Sequence, residues 1–190
     1  KSNKGNYRPI SILCTLSKML ERHVHDTFYK YLTDNLLLHT SQSGFRAQHS
    51  CETALTRLVD MWTANMDQGL INGVLLLDLR KAFDLVDLEI LVSKLKMYKC
   101  NNLTLDWFKS YLHDRKQYVS VKGKLSRTSS VTHGVPQGSI LGPLLFILFM
   151  NDLPLHTDSQ VDMYADDETI TATAPDLHSL EAILNTQADK

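Results

Sequence analysis

Asp166 and Asp167 stand side by side in this sequence, and Asp78 stands far upstream of them. These are the residues best suited to chemistry. Neighbouring carboxylates repel each other, so a fold that holds them together ordinarily places a cation between them. Mg²⁺ accepts a few carboxylate oxygens and leaves its other positions to water and substrate phosphates. Two such ions stabilise both the attacking and the leaving oxygen in phosphoryl transfer. Taken alone, Asp166-Asp167 reads as a solvated turn; Asp78 is the residue that points to an ion site.

The elements around these acids decide whether they can meet. Residues 161–165 alternate as a half-buried strand and residues 169–173 form a second run, so the acid pair falls at or beside the tip of a hairpin. Val74-Leu75-Leu76-Leu77 is continuously apolar, which predicts a strand buried on both faces with Asp78 at its C-terminal end. Asp87 is placed as an N-cap for a helix over 88–98. Helical spacing of Leu16, Met19, Leu20, Phe28 and Tyr31 predicts a helix ending near Asn35. Leu55, Leu58, Val59, Trp62 and Met66 predict another that stops near Gly69, and Leu105, Phe108, Tyr111 and Leu112 a third. Residues 118–124 and the polar alternating run that follows them read as a hairpin. Gly134-Val135-Pro136-Gln137-Gly138 reads as a loop leading into a helix from about Ile140, and Asp176 caps a last helix. Phe28/Tyr31 and Phe108/Tyr111 are assigned to the core.

Composition sets limits. The 190 residues are one domain's worth of chain, 43% apolar. The net charge of -1 is unusual for an enzyme of nucleic acids, although Arg80-Lys81, Lys94 to Lys99, Arg115-Lys116 and Lys122 to Arg127 are local basic clusters. Cys14, Cys51 and Cys100 have neither the number nor the spacing of a disulfide framework or a zinc site. No secretory signal is visible, and the apolar run 144–150 is far short of the ~20 residues that cross a bilayer. The expectation is an intracellular protein with no membrane partner, nuclear or cytoplasmic. A start at Lys1 without Met and an end inside a helical pattern read as a piece of a longer protein.

Five blocks occur in order: Asn6-Tyr7-Arg8-Pro9-Ile10-Ser11, Gln42-Ser43-Gly44-Phe45-Arg46, Asp78-Leu79-Arg80-Lys81-Ala82-Phe83-Asp84, Gly134-Val135-Pro136-Gln137-Gly138-Ser139 and Tyr164-Ala165-Asp166-Asp167. This order resembles the reverse transcriptase domain of non-LTR retrotransposons, the jockey-like elements of animals above all. The resemblance implies an α+β fold, the fingers and palm of a right-handed polymerase. Its antiparallel palm sheet would be backed by helices, with about 1–70 fingers-like, about 71–190 palm-like (a fingers-derived insertion being possible), and no thumb. It implies RNA-directed DNA synthesis on a primer 3′-hydroxyl from deoxynucleoside triphosphates, with an RNA template, a DNA primer and two Mg²⁺ ions or Mn²⁺. Endonuclease and thumb regions would lie elsewhere in a parent protein.

Residue by residue, the resemblance makes Asp78 and Asp166 metal-bridging carboxylates, with Asp167 contributing more weakly and the Leu79 carbonyl an extra ligand. Phe83 takes the place of a steric gate under the incoming sugar, with core packing as its alternative. Gln137 and Gly138 resemble nucleotide contacts, and Arg8 resembles the fingers cation that grips the triphosphate. Arg46 contacts phosphate or template, or serves structure. Asp84 is read as structural. Glu168 departs from the pattern as a third consecutive acid that could alter metal occupancy. Two further readings stay open: a truncated, non-catalytic remnant that binds nucleic acid or a partner, and a viral RNA-dependent RNA polymerase, against which Phe83 argues.

Overall fold

The computed structural model describes residues 10–188 and mixes helices with antiparallel sheet. In chain order the elements are α1 (Thr15–Asp34), α2 (Cys51–Asp67), β1 (Ile71–Asp78), α3 (Ala82–Leu85), α4 (Leu88–Met97), α5 (Asn102–Leu112), β2 (Lys116–Gln117), β3 (Ser120–Val121), β4 (Lys124–Leu125), β5 (Ser129–Ser130), α6 (Leu141–Met150), β6 (Gln160–Tyr164), β7 (Asp167–Ala174) and α7 (Leu177–Ala188). The chain divides into two compact units, each made of two stretches: residues 1–37 with 81–149, and residues 38–80 with 150–190.

The second unit is built on a three-stranded sheet of order β1-β7-β6, antiparallel throughout. Side chains alternate between the two faces of a strand. One face carries Leu75, Leu77, Val161, Met163 and Ile170, packed with Met150 and Leu153. Farther along the same face, Ala172 and Ala174 meet Leu180, Ile183 and Leu184 of α7. Gly73 is small because α7 lies on it: an added Cβ would sit 2.8 Å from a Leu184 methyl. On the opposite face α2 is tied down by Trp62 Nε1 donating to Thr171 Oγ1 at 3.1 Å and by the Arg57–Asp162 ion pair. Ser50 and Thr53 form a capping box that starts α2.

β1 departs from the expectation of burial on both faces. Leu75 and Leu77 are half-buried, but Val74 and Leu76 are exposed, Leu76 by 74%. The reason is position: β1 is an edge strand of an antiparallel sheet, and its second face at this end is uncovered. A run of four apolar residues does not distinguish this from a strand buried on both faces.

The first unit is helical at its core. α6 is apolar on every side and almost wholly buried, with Leu141, Leu145, Ile147 and Leu148 at 0% exposure. Leu91 and Leu95 of α4 and Phe108 of α5 are equally enclosed, and Phe108 meets Phe28 of α1 with ring centroids 5.2 Å apart. Asp87 caps α4 by accepting from the Glu89 and Ile90 amides. The N-terminal half of α1 differs from a simple buried stripe, since Leu16, Met19 and Leu20 are all exposed. None of the described helices is long and apolar enough to cross a membrane.

Candidate active site

The second unit brings the three expected carboxylates to one end of its sheet. β6 and β7 are joined through Ala165-Asp166, with Tyr164 paired to Asp167. Ala165 takes a φ of 60°, a left-handed conformation costly for a residue with a Cβ. Asp166 therefore stands at the turn and Asp167 opens β7. The antiparallel register sets Asp78 directly opposite Asp167. Opposed residues share a face, so Asp78, Asp167 and Tyr164 project from the same side. Asp78 and Asp167 are exposed and Asp166 is half-buried; none of the three is ion-paired to a side chain among the described residues. Among those residues, no three His, Cys, Asp or Glu side chains stand close enough together to hold a metal ion by themselves. The donor set nonetheless suits a hard divalent cation, which needs only a few carboxylate oxygens and takes the rest from water and phosphate.

Glu168, the third acid of the run, does not join them. It pairs with Leu77 and Met163, so it turns to the apolar face of the sheet. It is 4% exposed, its Oε1 has no hydrogen-bond partner among the described residues, and burial pushes its carboxyl above the usual range. Three consecutive acids are thus separated by strand alternation: a site residue, then a core residue.

A residue given no role by the sequence holds the turn. Segment 41–43 runs beside β6, with the Met163 amide donating to the Ser41 carbonyl and the Ser43 amide donating back to Met163. This puts Gln42, 1% exposed, against the turn. Its Oε1 accepts from the Gly44 amide at 2.7 Å and the Ala165 amide at 3.1 Å, and its Nε2 lies 3.4 Å from the Ala165 carbonyl. Gly44 must be glycine, because an added Cβ would sit 2.1 Å from the Ala165 nitrogen. A polar residue two positions before a glycine was the available signal, but nothing local says that the pair meets a turn far along the chain. Arg46 secures the same segment: its Nη1 donates to the carbonyls of His39 and Gln42. Tyr164 is drawn to the Cys51 thiol, whose hydrogen bond raises the phenol above its ordinary range.

The first unit holds a different set. Phe83 is half-buried and stacks on Phe146 with centroids 4.3 Å apart. Asp84 accepts from Gln137 Nε2 at 3.0 Å. The glycine loop is stitched to this segment, Gly134 N to Val86 O at 2.8 Å and Val135 N to Phe83 O at 2.9 Å. Gly134 has φ 88°, and an added Cβ would be 2.8 Å from the Asp84 carbonyl. Gly138 has φ 105° with the Ser11 carbonyl where its Cβ would point. Arg8 lies outside the described residues.

The reverse transcriptase (RNA-dependent DNA polymerase) family profile matches residues 1–189. The chain belongs to that family. A probable RNA-directed DNA polymerase from transposon BS of Drosophila melanogaster is 37% identical over 150 residues, 78% of this chain and 16% of that protein. The RNA-directed DNA polymerase from mobile element jockey of the same fly is 34% identical, over 87% of this chain and 19% of that protein. The chain thus spans less than a fifth of these curated relatives. The resemblance to non-LTR retrotransposon enzymes holds. Among solved structures, telomerase from Candida tropicalis in complex with a telomeric RNA fragment superposes with a TM-score of 0.62 at 13% identity, covering 90% of this chain and 30% of that one. The truncated apo telomerase of the same organism gives 0.59 at 14%, covering 89% and 36%. The α+β fold is therefore that of the reverse transcriptase family.

Two outcomes follow. Gln42→Ala strips the Gly44 and Ala165 amides of their acceptor, and a buried unsatisfied donor costs about 1–3 kcal/mol. Native-state hydrogen exchange at Ala165 should quicken at least as much as global unfolding; unchanged exchange would show that another group holds the turn. Glu168, with its carboxyl raised by burial, binds its proton more tightly folded than unfolded. Its contribution is intact below the ordinary carboxylate pKa and is lost as pH rises through the raised value. Glu168→Gln should gain Tm relative to the parent as pH goes from about 4 to about 7. A pH-independent difference would count against the assignment.

Proposed function

We propose that this chain is the RNA-directed DNA polymerase domain of a mobile element, extending a primer 3′-hydroxyl with deoxynucleotides along an RNA template. The observation that carries this reading is the register that opposes Asp78 to Asp167, with Asp166 at the adjoining turn and no side-chain ion pair to any of them among the described residues. A fold does not gather like charges at one sheet end for stability, since their repulsion opposes it. In this reading Asp78 and Asp166 bind the metals, Asp167 assists and the Leu79 carbonyl completes the set. Two Mg²⁺ ions, or Mn²⁺, would supply activation of the primer hydroxyl and neutralisation of the pyrophosphate.

The chain's own residues do the rest. Gln42 and Gly44 hold the turn so that Asp166 keeps one orientation. Phe83, propped on Phe146, serves as the wall under the incoming sugar, where a ring leaves no space for a 2′-hydroxyl. Gln137, oriented by Asp84, contacts the nucleotide, and Gly138 keeps the loop close to its neighbour. Arg8 grips the triphosphate and Arg46 serves the turn segment. This reading takes the chain as the fingers and palm of a right-handed polymerase.

In the full-length polymerase, Asp166→Asn should lower primer extension by about a hundredfold or more, because losing a metal ligand removes several kcal/mol of transition-state stabilisation. Retention of a tenth of parental extension at millimolar Mg²⁺ would sink the assignment. Phe83→Val should raise ribonucleotide over deoxynucleotide incorporation, read as the quotient of the two kcat/KM values. An unchanged quotient in a folded, active variant would return Phe83 to core packing.

A further inference from the structure

With 20 Lys and Arg against 21 Asp and Glu, this chain has no overall charge with which to hold a polyanion. Any electrostatic grip on nucleic acid must be local. Residues 116–130 contain Lys116, Lys122, Lys124 and Arg127 and no acid. They form one arm: β2 pairs with β5 at its base, β3 pairs with β4 farther out, and Lys122-Gly123 turns the chain with φ of 49° and 78°. Lys122 occupies a left-handed position that ordinarily favours Asn, Asp or Gly.

Every residue from 116 to 130 is exposed. That includes Tyr118, Val119 and Val121 at 60% and Leu125 at 65%. None of the four cations is ion-paired among the described residues. In the cluster from Lys94 to Lys99, by contrast, Lys94 donates to the Phe149 carbonyl and sits over the Phe149 ring, 4.8 Å from its centroid. The arm therefore combines unspent cations with an uncovered aromatic ring. That pairing suits an unpaired strand, whose phosphates take the cations and whose bases offer faces to stack. In a duplex the base faces are already stacked on one another, and the ring would find no partner.

We propose that the 116–130 arm is a binding surface for single-stranded nucleic acid, with Lys122, Lys124 and Arg127 on the phosphates and Tyr118 under a base. The proposal rests on the polymerase reading and adds where, and in what form, the chain meets its template.

The test uses the full chain and a fluorescein-labelled single-stranded RNA oligonucleotide, with anisotropy titrations over a range of salt. Each cation contributes about 0.7 to the slope of log K against log salt on a single strand, so Lys122→Ala with Lys124→Ala and Arg127→Ala should flatten it by about 2. These side chains touch no core, so Tm should not move. Tyr118→Ala should weaken single-strand binding about tenfold at constant slope and leave a blunt RNA duplex unaffected. An unchanged slope in the triple variant would overturn the arm, as would a loss confined to duplex or to anionic lipid vesicles. If Asp166→Asn still abolishes extension in that case, the polymerase reading survives and only the arm falls. A parent chain with no salt-dependent RNA binding would overturn the arm, and an Asp166→Asn variant that still extends would overturn the polymerase reading.

Discussion

Repulsion between like charges is the constraint around which the second unit is organised. Two carboxylates at about 4 Å cost each other about 1 kcal/mol in bulk water and about 4 near a protein surface. Asp78 and Asp167 face one another across paired strands, with Asp166 beside them. Such an end must be held by parts that are themselves firmly placed. α2 and α7 clamp the sheet from opposite faces through Thr171 and Gly73. The open part of the face, where Leu76 lies exposed, is the part next to the acids. Rigidity and access are thus assigned to different stretches of the same strands.

The turn shows how such a site is kept in one conformation. Ala165 has a positive φ, and the cost of that conformation is offset by hydrogen bonds from a buried amide side chain and by a glycine that lets a second backbone approach. Gln42 is stabilising here because its acceptor meets two amides that would otherwise be buried without partners. Glu168 is the opposite case, a buried carboxylate with an orphaned oxygen, whose cost is reduced by keeping its proton.

In the first unit, packing does the positioning. The apolar helix α6 offers Phe146 as a platform for Phe83, and the glycine loop is bonded to the carbonyls of residues 83 and 86. Asp84 and Gln137 are bound to each other.

Local signals were enough for much of this. Asp87 and Asp176 cap their helices because an N-cap depends on a few neighbouring residues. The helices, the β6–β7 hairpin with Asp166 and Asp167 at or beside its tip, and the hairpin that turns at Lys122-Gly123 follow from periodicity and turn chemistry. The ordered blocks were sufficient for the family. Tertiary structure alone decided three matters. It set Asp78 opposite Asp167, a pairing between distant strands that no local rule contains. It gave β1 one open face, since exposure depends on what lies above a strand rather than on the strand. It also sent Glu168 inward and placed Gln42 under the turn, because strand alternation and long-range register choose which of several similar polar residues meets solvent, core or site.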